Sequence, residues 1–255
     1  MNEITEESIV VISADTTGVR AGIGGEPQPR VVLPTPPGAI DESGAIRDYA
    51  WMKTTIAGIF KALDVDPEEH AALMTFAVTQ EKLSIEMLAR WMFGELNVAG
   101  LAIAFDSALI VSAQKNGSNG VAVHFSASRI RSTCVLENRQ AAYLATLSET
   151  LDPANVASAI DISIQRAGPS ERTLLSRQIV FSGNVPSGIE RDIQKALLDL
   201  APADVVVNVI SSEQPQLAVW RAASDYAATP TFNRRVLSRS DNEQDVSMLH
   251  ERSAV

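Results

Sequence analysis

The chain predicts an α/β fold, and three observations carry that expectation. Helix-period and strand-period stretches alternate along its 255 residues, the pattern of helices packed on sheets. Short apolar runs such as "SIVVIS" (8–13) and "VVVNVIS" (205–211) are strand-length and β-branched, which suits a pleated, buried surface. A hydrophobic content of 45% with 20% charged residues supplies a core and argues against general disorder.

Taken in order, "SIVVIS" and "VRAGIG" (19–24) flank the turn "ADTTG" and predict an N-terminal hairpin. "IRDYAWMKTTIAGIFKALDV" (46–65) places Trp51, Ile56, Ile59, Phe60 and Leu63 near the helical period. "AALMTFAV" (71–78) reads as a buried strand and "EKLSIEMLARWMFGEL" (81–96) as a second amphipathic helix. "AGLAIAF" (99–105) is a strand that runs straight into the helix "DSALIVSAQ". "KNGSNG" (115–120) marks a loop or boundary. "GVAVHFSASRIRSTCV" (120–135) is again strand, turn, strand, so the chain reads as a weak internal repeat of two halves. Helical stretches are expected near 137–151 and 153–167, then the strand "QIVFSG" (178–183) and the helix "PSGIERDIQKALLDL" (186–200). After the strand at 205–211, a last helix, "QLAVWRAASDYAAT", leads into a polar tail from about Arg234.

Composition excludes several functions. A formal charge of −10 is unsuited to a large nucleic-acid interface, which needs clustered Lys and Arg. The richest basic cluster, Arg234, Arg235 and Arg239, is followed at once by Asp241, Glu243 and Asp245 and reads as a solvated face. Cys134 is the single cysteine, so neither an intrachain disulfide nor a thiolate zinc site is expected. His70, His124 and His250 have no metal-ligand spacing. "MNEITEES" is polar and acidic, unlike a leader peptide. The most apolar run, "LAIAFDSALIVSA", is broken by Asp106 and too short to span a bilayer. A soluble protein of a reducing cell interior is expected. Trp51, Trp91 and Trp220 read as core or interface anchors, His70 as structural, and Cys134 as an inert buried thiol.

Five colinear segments resemble actin. They are "VRAGIGGEPQPRVVLP" (19–34), "DPEEHAALMT" (66–75), "FGELNVAGLAIAFDSALIVSAQKNG" (93–117), "IVFSGNVPSGIERDIQKAL" (179–197) and "LAVWRAASDYAATPTF" (217–232). The resemblance implies an actin-like fold, a duplicated ribonuclease H-like α/β fold, reduced to its two inner subdomains. Residues 1–113 with 218–255 would form the first and 114–217 the second. The first outer subdomain is reduced to about 35–47. The second is largely missing, since only about forty residues separate Asn138 from Gln178.

In that family each hairpin turn holds phosphates through glycine-permitted N–H groups, and an acid at the turn organises a hydrated metal. Aligned from "VRAG", the metal-organising Asp falls on Ser13, the phosphate-contacting Ser on Thr16 and the phosphate-contacting Lys on Arg20. Asp15 is a substitute acid if the turn shifts. In the second turn the family's Asp-Ser-Gly-Asp-Gly falls on His124, Phe125, Ser126, Ala127 and Ser128, so both acids and both glycines are gone. The water-positioning His falls on Arg131, which is no base at neutral pH. The water-orienting Gln falls on Asp106, read either as a general base or metal partner, or as a helix N-cap at a strand-to-helix junction, with the cap preferred. In the adenosine loop Ser182 and Gly183 remain, while Asn184 replaces the second Gly. Asn also takes left-handed turns, which leaves room for a residual adenine site.

These departures predict a non-catalytic actin-related protein that works through protein contacts by capping, adapting or co-assembling with a cytoskeletal filament or complex. Nucleotide binding is expected to be weak or lost, with no resident ATP, Mg²⁺ or other metal. Helix 217–229 and the tail 233–255 would supply the binding surface. Two alternatives stand: a self-assembling minimal filament subunit, and a reduced ATPase that uses Asp15 and Asp106 as substitute acids. A cytoplasmic, cytoskeleton-associated location is expected, with a protein partner or self-assembly and neither nucleic acid nor membrane insertion.

Overall fold

Two hairpins of β-branched residues each begin a half of the chain. The structure, a computed structural model, describes residues 9–115, 117–140, 146–148, 151–239 and 246–253. It divides into two units, Met1–Phe105 with Trp220–Ala254, and Asp106–Val219.

In the first unit β1 (Ile9–Asp15) and β2 (Gly18–Ile23) form the hairpin and β3 (Val31–Leu33) extends it. Next come α1 (Tyr49–Leu63), β4 (Ala71–Phe76), α2 (Lys82–Gly94) and β5 (Gly100–Phe105). Asp48 starts α1 by accepting the Trp51 N–H at 2.9 Å, and Asp64 ends it in the left-handed region, as cap chemistry requires. The sheet runs β12-β5-β4-β1-β2-β3, where β12 is Leu237–Ser238. Both faces of β1 are covered, so its run is continuously apolar. Val10 and Ile12 join the core formed with Met52, Ile56, Ile85 and Leu88 of the two helices. Trp220 is fully buried, and its indole N–H donates to the Val11 carbonyl at 3.3 Å. Gly22 makes room for it, since a Cβ there would lie 2.9 Å from Trp220 Cζ2.

In the second unit the helix α3 (Asp106–Ser112) leads to β6 (Gly120–Phe125) and β7 (Ile130–Leu136). Two short strands, β8 (Arg139–Gln140) and β9 (Thr146–Ser148), both pair antiparallel with β7. Then follow α4 (Pro153–Gln165), α5 (Pro169–Ser176), β10 (Ile179–Gly183), α6 (Ile189–Leu200) and β11 (Val209–Ser211), after which α7 (Ala218–Ala227) carries the chain back into the first unit from Trp220 on. The second sheet runs β11-β10-β6-β7-β8. In each sheet the hairpin is antiparallel, one later strand (β4 or β10) joins its first strand in parallel and the next (β5 or β11) pairs in parallel outside that one. The fold is therefore mixed α/β, with two sheets of the same strand order.

Three expectations change. In place of the helix expected at 137–151 there is a turn at 137–138 and strand at 139–140 and 146–148; residues 141–145 and 149–150 lie outside the described residues. Glu137 and Asn138 both have positive φ, 52° and 61°, the two-residue turn that suits a twisted hairpin. The open edge of β7 then captures the following backbone, because unpaired strand groups are costly when buried. The polar tail also has structure: β12 pairs with β5, and Val246 and Leu249, beside and within α8 (Met248–Glu251), are buried. Arg239 is not simply solvated, since its N–H donates to Ala99 and its Nε to Val98. Trp220 is core, whereas Trp51 and Trp91 are half-buried, with Lys53 Nζ 5.5 Å from the Trp91 ring centre. Cys134 is fully buried, and burial pushes its thiol up to about 12.

Candidate functional site

The two hairpin turns have matching geometry. In the first, Asp15 and Gly18 close a turn of Thr16 and Thr17, and Ser13 pairs with Arg20 two steps further in. In the second, Ser126 and Arg129 close a turn of Ala127 and Ser128, and His124 pairs with Arg131 at the same depth. Each hairpin thus carries an arginine at the equivalent position of its second strand. Both arginines are buried and both pair with an aspartate.

At the first turn the Asp15 carboxylate is committed to its own hairpin. Oδ1 accepts the Thr17 N–H at 2.7 Å, the Thr17 hydroxyl at 2.5 Å and the Gly18 N–H at 3.0 Å. Oδ2 takes the Arg20 guanidinium at 2.9 Å. Arg20 reaches on to Thr17 Oγ1 at 3.0 Å, which closes a ring of three side chains. The Thr35 hydroxyl donates to the Asp15 carbonyl. Ser13 is buried in β1, and Thr16 Oγ1 is buried with no partner among the described residues. This is the turn-forming role that Asp takes when its side chain binds the backbone two residues on. Thr17 escaped the sequence reading, although the spacing "DTT" carries that signal.

At the second turn, backbone and hydroxyl replace carboxylate chemistry. The Ser126 N–H and hydroxyl both donate to the Arg129 carbonyl, at 2.9 and 2.8 Å, and its Oγ accepts the Arg129 N–H. Phe125 is fully buried against Phe181, with ring centres 5.0 Å apart. His124 Nδ1 and Ser182 Oγ share a hydrogen bond of 3.1 Å. The loop after β10 packs onto the same strand end, where the Asn184 N–H donates to the Phe125 carbonyl at 2.8 Å. Gly183 holds φ at +85°, and a Cβ there would sit 2.3 Å from the Phe125 oxygen. The positive-φ residues around this loop are Gly183 and Gly188, not Asn184, which corrects the reading of Asn184. Gly183 fits because only a residue without Cβ tolerates both the conformation and the approach.

Asp106 begins α3 directly after β5. Its Oδ1 accepts the N–H of the adjacent Ser107 at 2.6 Å, not that of the second or third residue on as a helix cap does, and its Oδ2 pairs with Arg131 of β7. The side chains are 14% and 4% exposed. The ion pair joins residues twenty-five apart in sequence, and no local pattern announces it. The structure thus brings Asp106 together with Arg131, His124 with Ser182, and Asp15 with Arg20. Among the described residues, no group of three or more His, Cys, Asp or Glu is placed to hold a metal ion, and no helix is long and apolar enough to cross a membrane.

No protein-family model matches the chain. Over 101 residues it is 32% identical to actin-related protein 6 of rice, in both the indica and japonica subspecies. That stretch covers 38% of this chain and 23% of each relative. The chain is therefore distantly and partially similar to an actin-related protein.

Proposed function

We propose that this chain is a divergent, reduced actin-related protein that acts through protein contacts and does not turn over ATP. The partial similarity to actin-related protein 6 and the doubled sheet order support membership in the actin family, and with it a cytoskeleton-related role. The observation that carries the loss of catalysis is the commitment of both nearby carboxylates to guanidinium groups: Asp15 to Arg20 and Asp106 to Arg131. An acid whose oxygens already hold N–H groups and a guanidinium has poor capacity to organise a hydrated Mg²⁺. The second turn contains no acid, and its Ser126 hydroxyl is tied to the Arg129 backbone. These residues do not fit a magnesium–phosphate group. With that chemistry lost, each unit keeps its hairpin and the surface around it, which suits capping, adaptor or co-assembly roles.

Calorimetric titration with ATP and ADP, with and without Mg²⁺, tests this reading. The expected result is no heat and no thermal stabilisation at millimolar nucleotide. Micromolar binding, or turnover that falls on Asp106→Asn, refutes it.

A further inference from the structure

The two sheets share one strand order but end differently at one edge. Because His124 corresponds to Ser13, Val121 corresponds to Val10. Their parallel partners Ile179 and Ala72 then correspond, and so do the next partners out, Val209 and Leu101. In the first unit Leu101 does not lie at an edge. Strand β12 lies antiparallel outside it, with Leu237 opposite Leu101, Ser238 opposite Gly100 and the Arg239 N–H on the Ala99 carbonyl at 3.2 Å. Leu237 is fully buried there.

In the second unit β11 ends the sheet, and no strand among the described residues lies outside it. Asn208 turns inward: its N–H donates to Ser176 and its carbonyl accepts the Ile179 N–H at 2.9 Å. Alternation along the strand then points the main-chain groups of Val209 and Ser211 outward, where no described residue bonds them. Ser211 Oγ is likewise buried without a partner among the described residues. β11 is short, three residues, but neither it nor the preceding 205–208 carries Pro or Lys, two of the means by which edges are blunted. Leu198, Leu200 and Val206, close to it in sequence, are 50%, 50% and 59% exposed.

We propose that the outer edge of β11 receives an extended segment of a partner protein, by strand addition. The segment pairs antiparallel, sets an apolar side chain opposite Val209 and carries Arg or Lys on both flanks. The chain's own solution at the equivalent edge has this chemistry: β12 lies in "NRRVLSRS" (233–240), with Leu237 between Arg234, Arg235 and Arg239. The surroundings of β11 call for the same cations. Asp199, Asp204 and Glu213 are exposed, and none has a hydrogen-bond or ion-pair partner among the described residues. A second copy is the poorer occupant, because pairing β11 with itself doubles this acidic charge across the seam. The proposal depends on the repeated strand order and not on whether the chain binds nucleotide.

A fluorescent peptide copying residues 231–240 is the probe, titrated with the full chain and read by polarisation. Saturable binding is expected. Val209→Pro removes the outward N–H and leaves the bonds to β10 in place, since edge positions tolerate proline. It should weaken the peptide about tenfold, the worth of a lost hydrogen bond and a distorted edge. The double variant Asp204→Lys/Glu213→Lys, which leaves the strand intact, should weaken it as well. No saturable binding overturns the proposal. So does equal affinity for Val209→Pro, which would mean that the peptide displaces β12 from β5. A dimer of the chain alone that Val209→Pro dissociates also overturns it, and identifies the occupant as a second copy.

Discussion

Replacing Arg131 with Met removes one partner of a buried ion pair and leaves the Asp106 carboxylate behind. At an effective dielectric near 20, two unit charges about 4 Å apart attract by roughly 4 kcal/mol. Breaking a buried pair from one side costs about 3–5 kcal/mol because the remaining charge is uncompensated. Asp106 keeps the Ser107 N–H and is 14% exposed, so the loss should fall at the low end, ~3 kcal/mol. Adding Asp106→Asn removes the stranded charge while sparing the bond to the Ser107 N–H. The double variant should therefore lose less than the sum of the two singles. Urea unfolding followed by circular dichroism measures this, while tryptophan fluorescence serves as an internal control. Trp51, Trp91 and Trp220 all belong to the first unit, so their fluorescence reports that unit while circular dichroism reports the whole chain. With a urea slope of about 1–3 kcal/mol per molar, the second unit's midpoint should fall by at least ~1 M. A loss under ~1 kcal/mol, or strict additivity in the cycle, would refute the claim that the pair is a buried structural element.

Gly183→Ala should cost at least ~2 kcal/mol, from the left-handed conformation and the 2.3 Å approach to the Phe125 oxygen, whereas Asn184→Gly should stay within about 0.5 kcal/mol. Chemical denaturation of the two variants side by side checks this, and equal losses would sink it. His250 is lowered from its ordinary value by burial and by the nearby Lys82, against the opposing pull of Glu86 and a backbone hydrogen bond at Lys82. Its neutral form is thus favoured in the folded state, and the stability it contributes is present above about pH 6.5. That stability is lost as pH falls from there through the lowered folded value, because the unfolded chain takes up the proton first. Melting temperatures between about pH 8 and 5 should slope less in His250→Gln than in the parent; parallel slopes would contradict the assignment.

Local chemistry was enough to place most elements of this chain. The two hairpins were legible because strands alternate or run apolar between turn residues, and α1 and α2 because Ile56, Phe60, Ile85 and Leu88 recur at the helical period. The burial of Cys134 followed from the same patterns. Tertiary structure decided what depends on distant partners. Residues 139–140 and 146–148 became strands because β7 had an open edge, and Leu237 became core because β5 had another. Asp106 was legible as a residue at a helix start, but its second partner, Arg131, enters only when β7 folds beside α3. Sequence periodicity reports a segment's own faces. Which edge is open, and which charge waits opposite, is settled only when the sheets assemble and every buried backbone and charged group must find a partner.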